Sequence, residues 1–245
     1  MTTTAGPTRK APRQLPSLVR AAHPRQALAF AVVVGALVAL TRDDAALQAL
    51  VSAVTVLVAQ LAMGLTNDLC DVELDRAAAV DDKPVASGVV PPGNASFAIA
   101  VLLLLVVPLA LQNGVTAGLY LLASLVVGFV HDRWLHRTAL SWVGWSVTFV
   151  LLACFVTYGG WAHDAHGSAP LTSFLVLSAL LGFFVHFLTS LPDLVRDNAA
   201  RVRHLPLRIA LHTGAPRLFV LSIIGTVVVL AAIVLTTVQA GAIAR

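Results

Sequence analysis

Seven long apolar runs, almost free of charge in their interiors, constrain this chain more than any other feature. They cover roughly residues 25–41, 46–67, 95–111, 115–131, 140–158, 171–191 and 216–238. A helix needs about 20 mostly apolar residues to cross the hydrocarbon core of a bilayer, and runs of this length meet that need. They are continuous rather than alternating, so the strands of a membrane barrel are not suggested. The composition agrees, with 58% hydrophobic and only 11% charged residues, where soluble domains carry about 25% charged. A soluble enzyme, a disordered chain and a disulfide-stapled module are thereby excluded. Cys70 and Cys154 offer no disulfide framework and no metal spacing. The expected fold is all-α, a polytopic membrane helix bundle of about seven spans. Residues 1–22 read as a disordered, basic cytoplasmic tail and residues 23–245 as one transmembrane domain.

The charges are sorted. Arg9, Lys10, Arg13, Arg20 and Arg25 precede or open the first run, and Arg76 and Lys83 follow the second. Arg133 and Arg137 follow the fourth, and Arg196, Arg201, Arg203, Arg208 and Arg217 follow the sixth. If seven spans alternate, these fourteen of the sixteen Lys and Arg share one side, leaving Arg42 and Arg245 on the other. The positive-inside rule makes that side, with the N-terminus, cytoplasmic.

The acids need a separate explanation, because membrane topology does not ask for them. Asp68, Asp71, Glu73, Asp75, Asp81 and Asp82 follow the second run, and Asp193 and Asp197 follow the sixth, on the same side as the bases. At about 100° per residue, a helix places Asn67, Asp71, Asp75 and Asp68 within one arc of about 100°, whereas Glu73 points away. Asp197 falls about 40° from Asp193, with His186 and Ser190 in the same sector of about 60°. Two facing stripes of hard oxygen ligands suit Mg²⁺ acting on a polyphosphate. That ion is typically held by one or two carboxylates together with substrate phosphates. Lys83 and Arg137 are placed to neutralise the remaining phosphate charge.

These residues resemble the UbiA superfamily of intramembrane prenyltransferases. Its first motif, NDxxDxxxD, stands here as Asn67-Asp68-Leu69-Cys70-Asp71-Val72-Glu73-Leu74-Asp75, continuing into Arg76 and then Asp82-Lys83-Pro84-Val85-Ala86-Ser87-Gly88. Its second, DxxxD, stands as Asp193-Leu194-Val195-Arg196-Asp197, followed by Arg203-His204-Leu205-Pro206. The resemblance covers roughly residues 20–240. It implies a helical bundle around a central cavity capped on the cytoplasmic side, with two Mg²⁺ ions binding the diphosphate of an isoprenyl diphosphate. It also implies that Asn67, Asp71, Asp75, Asp193 and Asp197 form the metal shell, with Asp68 supporting and Lys83 on phosphate. An allylic cation then forms in a dry, apolar channel and a nucleophile captures it.

The chain departs from the family pattern in two places. Many members have a Tyr and a Lys in the connection between spans four and five. The matching stretch here is His131-Asp132-Arg133-Trp134-Leu135-His136-Arg137-Thr138-Ala139-Leu140-Ser141, with His131 and His136 at those positions. An imidazole is a weaker diphosphate ligand than an ammonium, and it changes charge near neutral pH. The family also usually has nine spans, whereas one clear run follows the second motif here. The expected options are a compact seven-span member or partner helices from another subunit.

His186 is an ionisable intramembrane residue on the Asp193 face, and such a residue is a site candidate. Ser190, Trp145 and Tyr158 are expected to line the cavity with it, where ring faces stabilise cations. Trp142 reads equally as an interfacial anchor. His163, Asp164 and His166 look like a metal triad but fall in the opposite loop, away from the acids, and read as solvated. The leading expectation is a Mg²⁺-dependent prenyltransferase acting on an isoprenyl diphosphate and a small acceptor of unidentified structure. The alternatives are a terpene cyclase of the same fold and a carrier using membrane carboxylates. A carrier is disfavoured because its ligands sit near the midplane on broken helices. The bilayer is an expected partner, nucleic acid is not, and the oligomeric state is open.

Overall fold

The computed structural model describes residues 14–41, 46–77, 83–160 and 169–243. Eleven α-helices follow one another: α1 (Gln14–Ala21), α2 (Pro24–Thr41), α3 (Ala46–Cys70), α4 (Val72–Ala77), α5 (Pro92–Gln112), α6 (Val115–Arg133), α7 (Ser141–Tyr158), α8 (Thr172–Ser190), α9 (Leu194–Ala199), α10 (Leu205–Thr213) and α11 (Ala215–Ile243). The seven apolar runs become α2, α3, α5, α6, α7, α8 and α11. Among the described residues, six helical segments are long and apolar enough to cross a membrane, and the pair α1–α2, bent by 52°, brings the number up to seven.

Packing follows chain order around a ring. Each long helix leans on the next, α2 on α3, α3 on α5, and so on through α6, α7 and α8 to α11. Helix α11 touches α2 and closes the circuit, while α3–α6 and α2–α7 contacts cross it. The helices can approach closely where small residues lie between them. A Cβ on Gly182 would sit 2.6 Å from the backbone oxygen of Trp145, so α8 rests directly on α7. One apolar core joins Val56, Val106, Leu121, Leu152 and Phe155 across α3, α5, α6 and α7. Another joins Ala153, Phe174, Leu181, Val229 and Ile233 across α7, α8 and α11. Leu104, Val228 and Leu235 point outward and are exposed, as lipid-facing side chains are.

The two ends of the bundle differ. At one end, Asn113 and Gly114 form the tight α5–α6 turn, with Gly114 at φ +95°. Asn113 is fully buried. Its Nδ2 donates to Thr55 Oγ1 (3.0 Å) and to the Leu109 carbonyl (2.9 Å), and its Oδ1 accepts from Gln48 Nε2 (3.0 Å) and Ser52 Oγ (2.7 Å). Its own carbonyl accepts from Gly160 N (3.0 Å), which ties in the end of α7. At the other end lie the short helices α4, α9 and α10, two 3₁₀ turns, and every described Lys and Arg.

The expected unstructured tail to residue 22 needs correcting. Residues 14–21 are helical, and Ala21 and Ala22 are buried with Leu65, Val85 and Val90. The cause is packing at one point, since a Cβ on Gly64 would lie 2.5 Å from the Ala22 carbonyl oxygen. Residues 1–13, the acids Asp81 and Asp82, the loop residues His163, Asp164 and His166, and Arg42 and Arg245 lie outside the described residues.

Candidate active site

Helix α3 ends at Cys70, yet helical hydrogen bonding continues through the first acidic motif. Asp71 N bonds to the Asn67 carbonyl at 3.0 Å and Asp75 N to the Asp71 carbonyl at 2.8 Å. The common face expected from helical spacing therefore forms. Asp68, Asp71 and Asp75 are buried, while Glu73 is exposed and accepts a bond from Arg76 (2.9 Å). In the second motif, a 3₁₀ turn over Leu191–Asp193 separates α8 from α9. Asp193 keeps a side chain 44% exposed, whereas Asp197 is buried.

A cavity of about 480 Å³ opens between the motifs. Asn67, Asp71, Lys83, His136, Asp193 and Asp197 line its acid end. His131, Trp145, His186 and Ser190 follow, with Phe30, Met63, Leu125 and Phe149 among its apolar walls. This is the size and mixture of a small-ligand site. Asp68, Asp75 and Arg137 stand behind or beside the lining. Tyr158 does not belong there, contrary to expectation. It sits at the last turn of α7, at the Asn113 end, and stacks on Tyr120 with ring centres 5.4 Å apart.

Each carboxylate of the two motifs faces a base. Asp68 Oδ1 accepts from Lys83 Nζ (2.6 Å) and lies 2.9 Å from His23 Nε2. His23 reaches it from the α1–α2 corner with φ +50°, a region that His tolerates better than most residues. Asp71 Oδ1 lies 3.3 Å from His136 Nε2 and 3.6 Å from Arg137 Nη2, without the alignment of a hydrogen bond. Asp75 Oδ1 accepts from Arg196 Nη1 (2.8 Å). Arg196 Nη2 is 3.3 Å from Asp193 and its Nε 3.5 Å from Asp197. His204 Nδ1 caps α10 by accepting from Leu207 N (3.1 Å), so its Nε2 carries the proton that bonds Asp197 Oδ2 (2.9 Å).

The electrostatics reflect this crowding. Burial alone would raise Asp71, but His136 and Arg137 hold its carboxyl below the usual range. Burial raises Asp75 despite Lys83 and Arg196. Burial opposes the charge on Lys83, but Asp68 and Asp75 raise it above the ordinary lysine value. Beyond the charges, Trp145 Nε1 donates to His131 Nε2 (3.2 Å), and His186 Nε2 lies 2.9 Å from Ser141 Oγ. Indole is a donor only, so His131 carries its proton on Nδ1. Gly144 makes the room, because a Cβ there would lie 2.6 Å from that nitrogen. Ser190 Oγ is spent on the His186 carbonyl (2.8 Å).

The donor set fits a hard divalent cation. Asp68 Oδ2, Asp71 Oδ1 and Asp75 Oδ2 are buried without a hydrogen-bond partner, which is costly for a carboxylate unless something positive arrives. Among the described residues, no three acidic, His or Cys side chains converge closely enough to hold an ion unaided. Mg²⁺ does not need them to, because substrate phosphates and water complete its shell.

His23, Arg196 and His204 were not singled out from the sequence. Arg196 follows Asp193 by three residues, so the helical arithmetic used for the acids puts it on their face. His204 precedes Leu-Pro at a helix start, a capping position. His23 carried no local signal, since its partner is 45 residues away.

No curated protein matches the chain significantly. Among solved structures, a UbiA homologue from Archaeoglobus fulgidus bound to GPP and Mg²⁺ superposes with a TM-score of 0.67 at 16% identity, over 93% of this chain and 85% of that one. The homologue from the same organism bound to DMAPP and Mg²⁺ gives 0.64 at 16% identity, over 94% and 85%. A digeranylgeranylglyceryl phosphate synthase structure gives 0.59 at 17% identity, over 94% and 87%. At these identities the likeness speaks for the fold. The sequence profile of the UbiA prenyltransferase family matches residues 13–244, nearly the whole chain, and the protein belongs to that family.

Proposed function

We propose that this multi-pass membrane protein is a Mg²⁺-dependent prenyltransferase that moves an isoprenyl group from its diphosphate to a small acceptor. One observation carries the reading: buried carboxylate oxygens without a hydrogen-bond partner lie near Lys83, His136 and Arg137 at one end of a cavity that is otherwise largely apolar and aromatic. The Archaeoglobus fulgidus homologues bound to GPP or DMAPP with Mg²⁺ support the donor class.

Asn67, Asp71 and Asp75 would hold the metal, with Asp193 and Asp197 lining the same end of the cavity. Asp68, fixed by Lys83 and His23, buttresses the helix that presents Asn67 and Asp71. Mg²⁺, when bound, neutralises diphosphate charge and makes it a better leaving group. Lys83, His136 and Arg137 share that charge. The bond between C1 of the isoprenyl chain and the diphosphate oxygen breaks, and the electron pair leaves with the diphosphate. The ring faces of Trp145 and Phe149 favour the allylic cation, and the apolar walls keep water from it. The acceptor forms its bond to C1 and gives up a proton. The acid end lies on the cytoplasmic side by the positive-inside rule.

The test is product analysis with purified protein in lipid, Mg²⁺, and allylic diphosphates of increasing length, with and without phenolic or alcohol acceptors. Adducts identify transfer, and hydrocarbon formed without acceptor assigns the site to cyclisation. Turnover that survives Asp71→Ala together with Asp193→Ala ends both readings. Labelling of Cys70 from the side opposite the cytoplasm reverses the orientation.

A further inference from the structure

The two acidic motifs are not equivalent. Among the described residues, the three buried carboxylate oxygens without a hydrogen bond, on Asp68, Asp71 and Asp75, all belong to the first motif. The second motif has none among the described residues: both oxygens of buried Asp197 are paired, and Asp193 is part-exposed beside Arg196. Asp197 presents Oδ1 to Arg196 and Oδ2 to His204, and Asp193 presents Oδ1 to Arg196. Arg196 also reaches across to the first motif, where it donates to Asp75 Oδ1 at 2.8 Å. One guanidinium, with its side chain only 17% exposed, thus meets three carboxylates, each through a different nitrogen.

A guanidinium stays charged at any working pH and offers donors in a rigid planar fork. It neither dissociates nor exchanges with bulk solution. A divalent ion approaching Asp193 and Asp197 would have to displace it or stand beside it against like-charge repulsion. Arg196 also holds Asp75 through Oδ1, but Asp75 Oδ2 and Asp71 Oδ1 are engaged in no hydrogen bond. Asp71 faces His136 and the half-exposed Arg137 at 3.3 and 3.6 Å, and Asp75 Oδ2 faces Lys83 at 3.9 Å.

We propose that Arg196 takes the place of a second divalent cation. The site then holds one Mg²⁺, through Asn67, Asp71 and Asp75, and the guanidinium is the fixed positive charge that joins the two motifs. This rests on the metal–diphosphate reading of the site, but it departs from the pair of ions that the family resemblance implies. Arg196 is in this account a positioning residue for the second motif and a standing counter-charge for the diphosphate.

The test uses the full chain in lipid nanodiscs with Mn²⁺ as the probe and geranyl S-thiolodiphosphate as an ionisation-resistant diphosphate. Bound Mn²⁺ is counted by filtration, and its spin coupling is read by electron paramagnetic resonance. The wild type should hold one Mn²⁺ per chain with an uncoupled spectrum. Arg196→Gln and Arg196→Met should each admit a second ion and give a spin-coupled pair, while Arg196→Lys should keep the uncoupled spectrum. A coupled pair in the wild type overturns the proposal even if the neutral variants fail to fold. One uncoupled ion in a folded Arg196→Gln variant also overturns it, since the guanidinium would not be what excludes the second. No Mn²⁺ bound by the wild type removes the metal–diphosphate reading itself, a result distinct from two.

Discussion

The bundle buries polar side chains at both ends, and the two clusters are built on opposite principles. Around Asn113 every group is neutral, and the amide fills all four of its hydrogen-bonding positions from α3 and α5. Only Gln48 Oε1 is left over. Around Asp71 the groups are charged and more than one carboxylate oxygen is left without a hydrogen bond. A saturated network rigidifies a fold, whereas an unsaturated charged one is costly until a ligand completes it. Burial alone therefore does not identify a site here. The residual bonding capacity does.

That contrast can be broken from either side. The largest effect is expected for Asp71→Asn, which should lower diphosphate release by at least about 10²-fold, the scale of losing one transition-state charge contact. Its thermal midpoint should fall only modestly, because the amide loses the attraction of His136 and Arg137 that favours the charged carboxylate. A large stability loss without a rate effect would show that the acid end is scaffold. Asn113→Leu should do the reverse. It removes the acceptor of Ser52 Oγ and leaves Gln48 Nε2 only its 3.3 Å bond to Ser52; it should cost about 1–3 kcal/mol, read as a lower unfolding temperature in detergent, with the rate per folded molecule unchanged.

His204→Asn separates two roles of one side chain. Asn caps helices well, so α10 should persist, but the bond to Asp197 is lost. A rate loss of about 10-fold or more is expected, at the lower end of what supporting shells contribute. An unchanged rate would leave His204 as a cap alone. The smallest effect is expected for Glu73→Gln. Glu73 lies in the same motif but on its wet face, and its exposed pair with Arg76 should be worth no more than about 0.5 kcal/mol in a melting experiment and nothing in rate.

The helices were legible because a bilayer demands long uninterrupted apolar stretches, and the seven sequence runs meet helix ends within a few residues. The first motif was legible for a related reason. Its helical bonding continues past Cys70, so spacing alone separated Asp71 and Asp75 from Glu73. Tyr158 was misplaced because aromatic character reports suitability for a cavity and not the depth along α7 at which the residue sits. Arg196 was hidden by the positive-inside pattern, which explained it well enough to stop the question. His23 and the Asn113 cluster depend on contacts between positions 45 to 65 residues apart, and one-dimensional periodicity carries no information about these.

The triplet His23, Asp68 and Lys83 has a consequence for how this sequence can drift. Asp68 is buried and shared between a corner residue before the first long helix and a lysine that follows the motif. Losing either base leaves a buried charge short of compensation, and losing the acid leaves Lys83 only the 3.9 Å contact with Asp75, changes that are each unfavourable alone. Descendants of this chain should therefore inherit the three positions as a linked set, changing together or not at all. The α1–α2 corner that carries His23 would then be among the slowest parts of the N-terminal region to diverge.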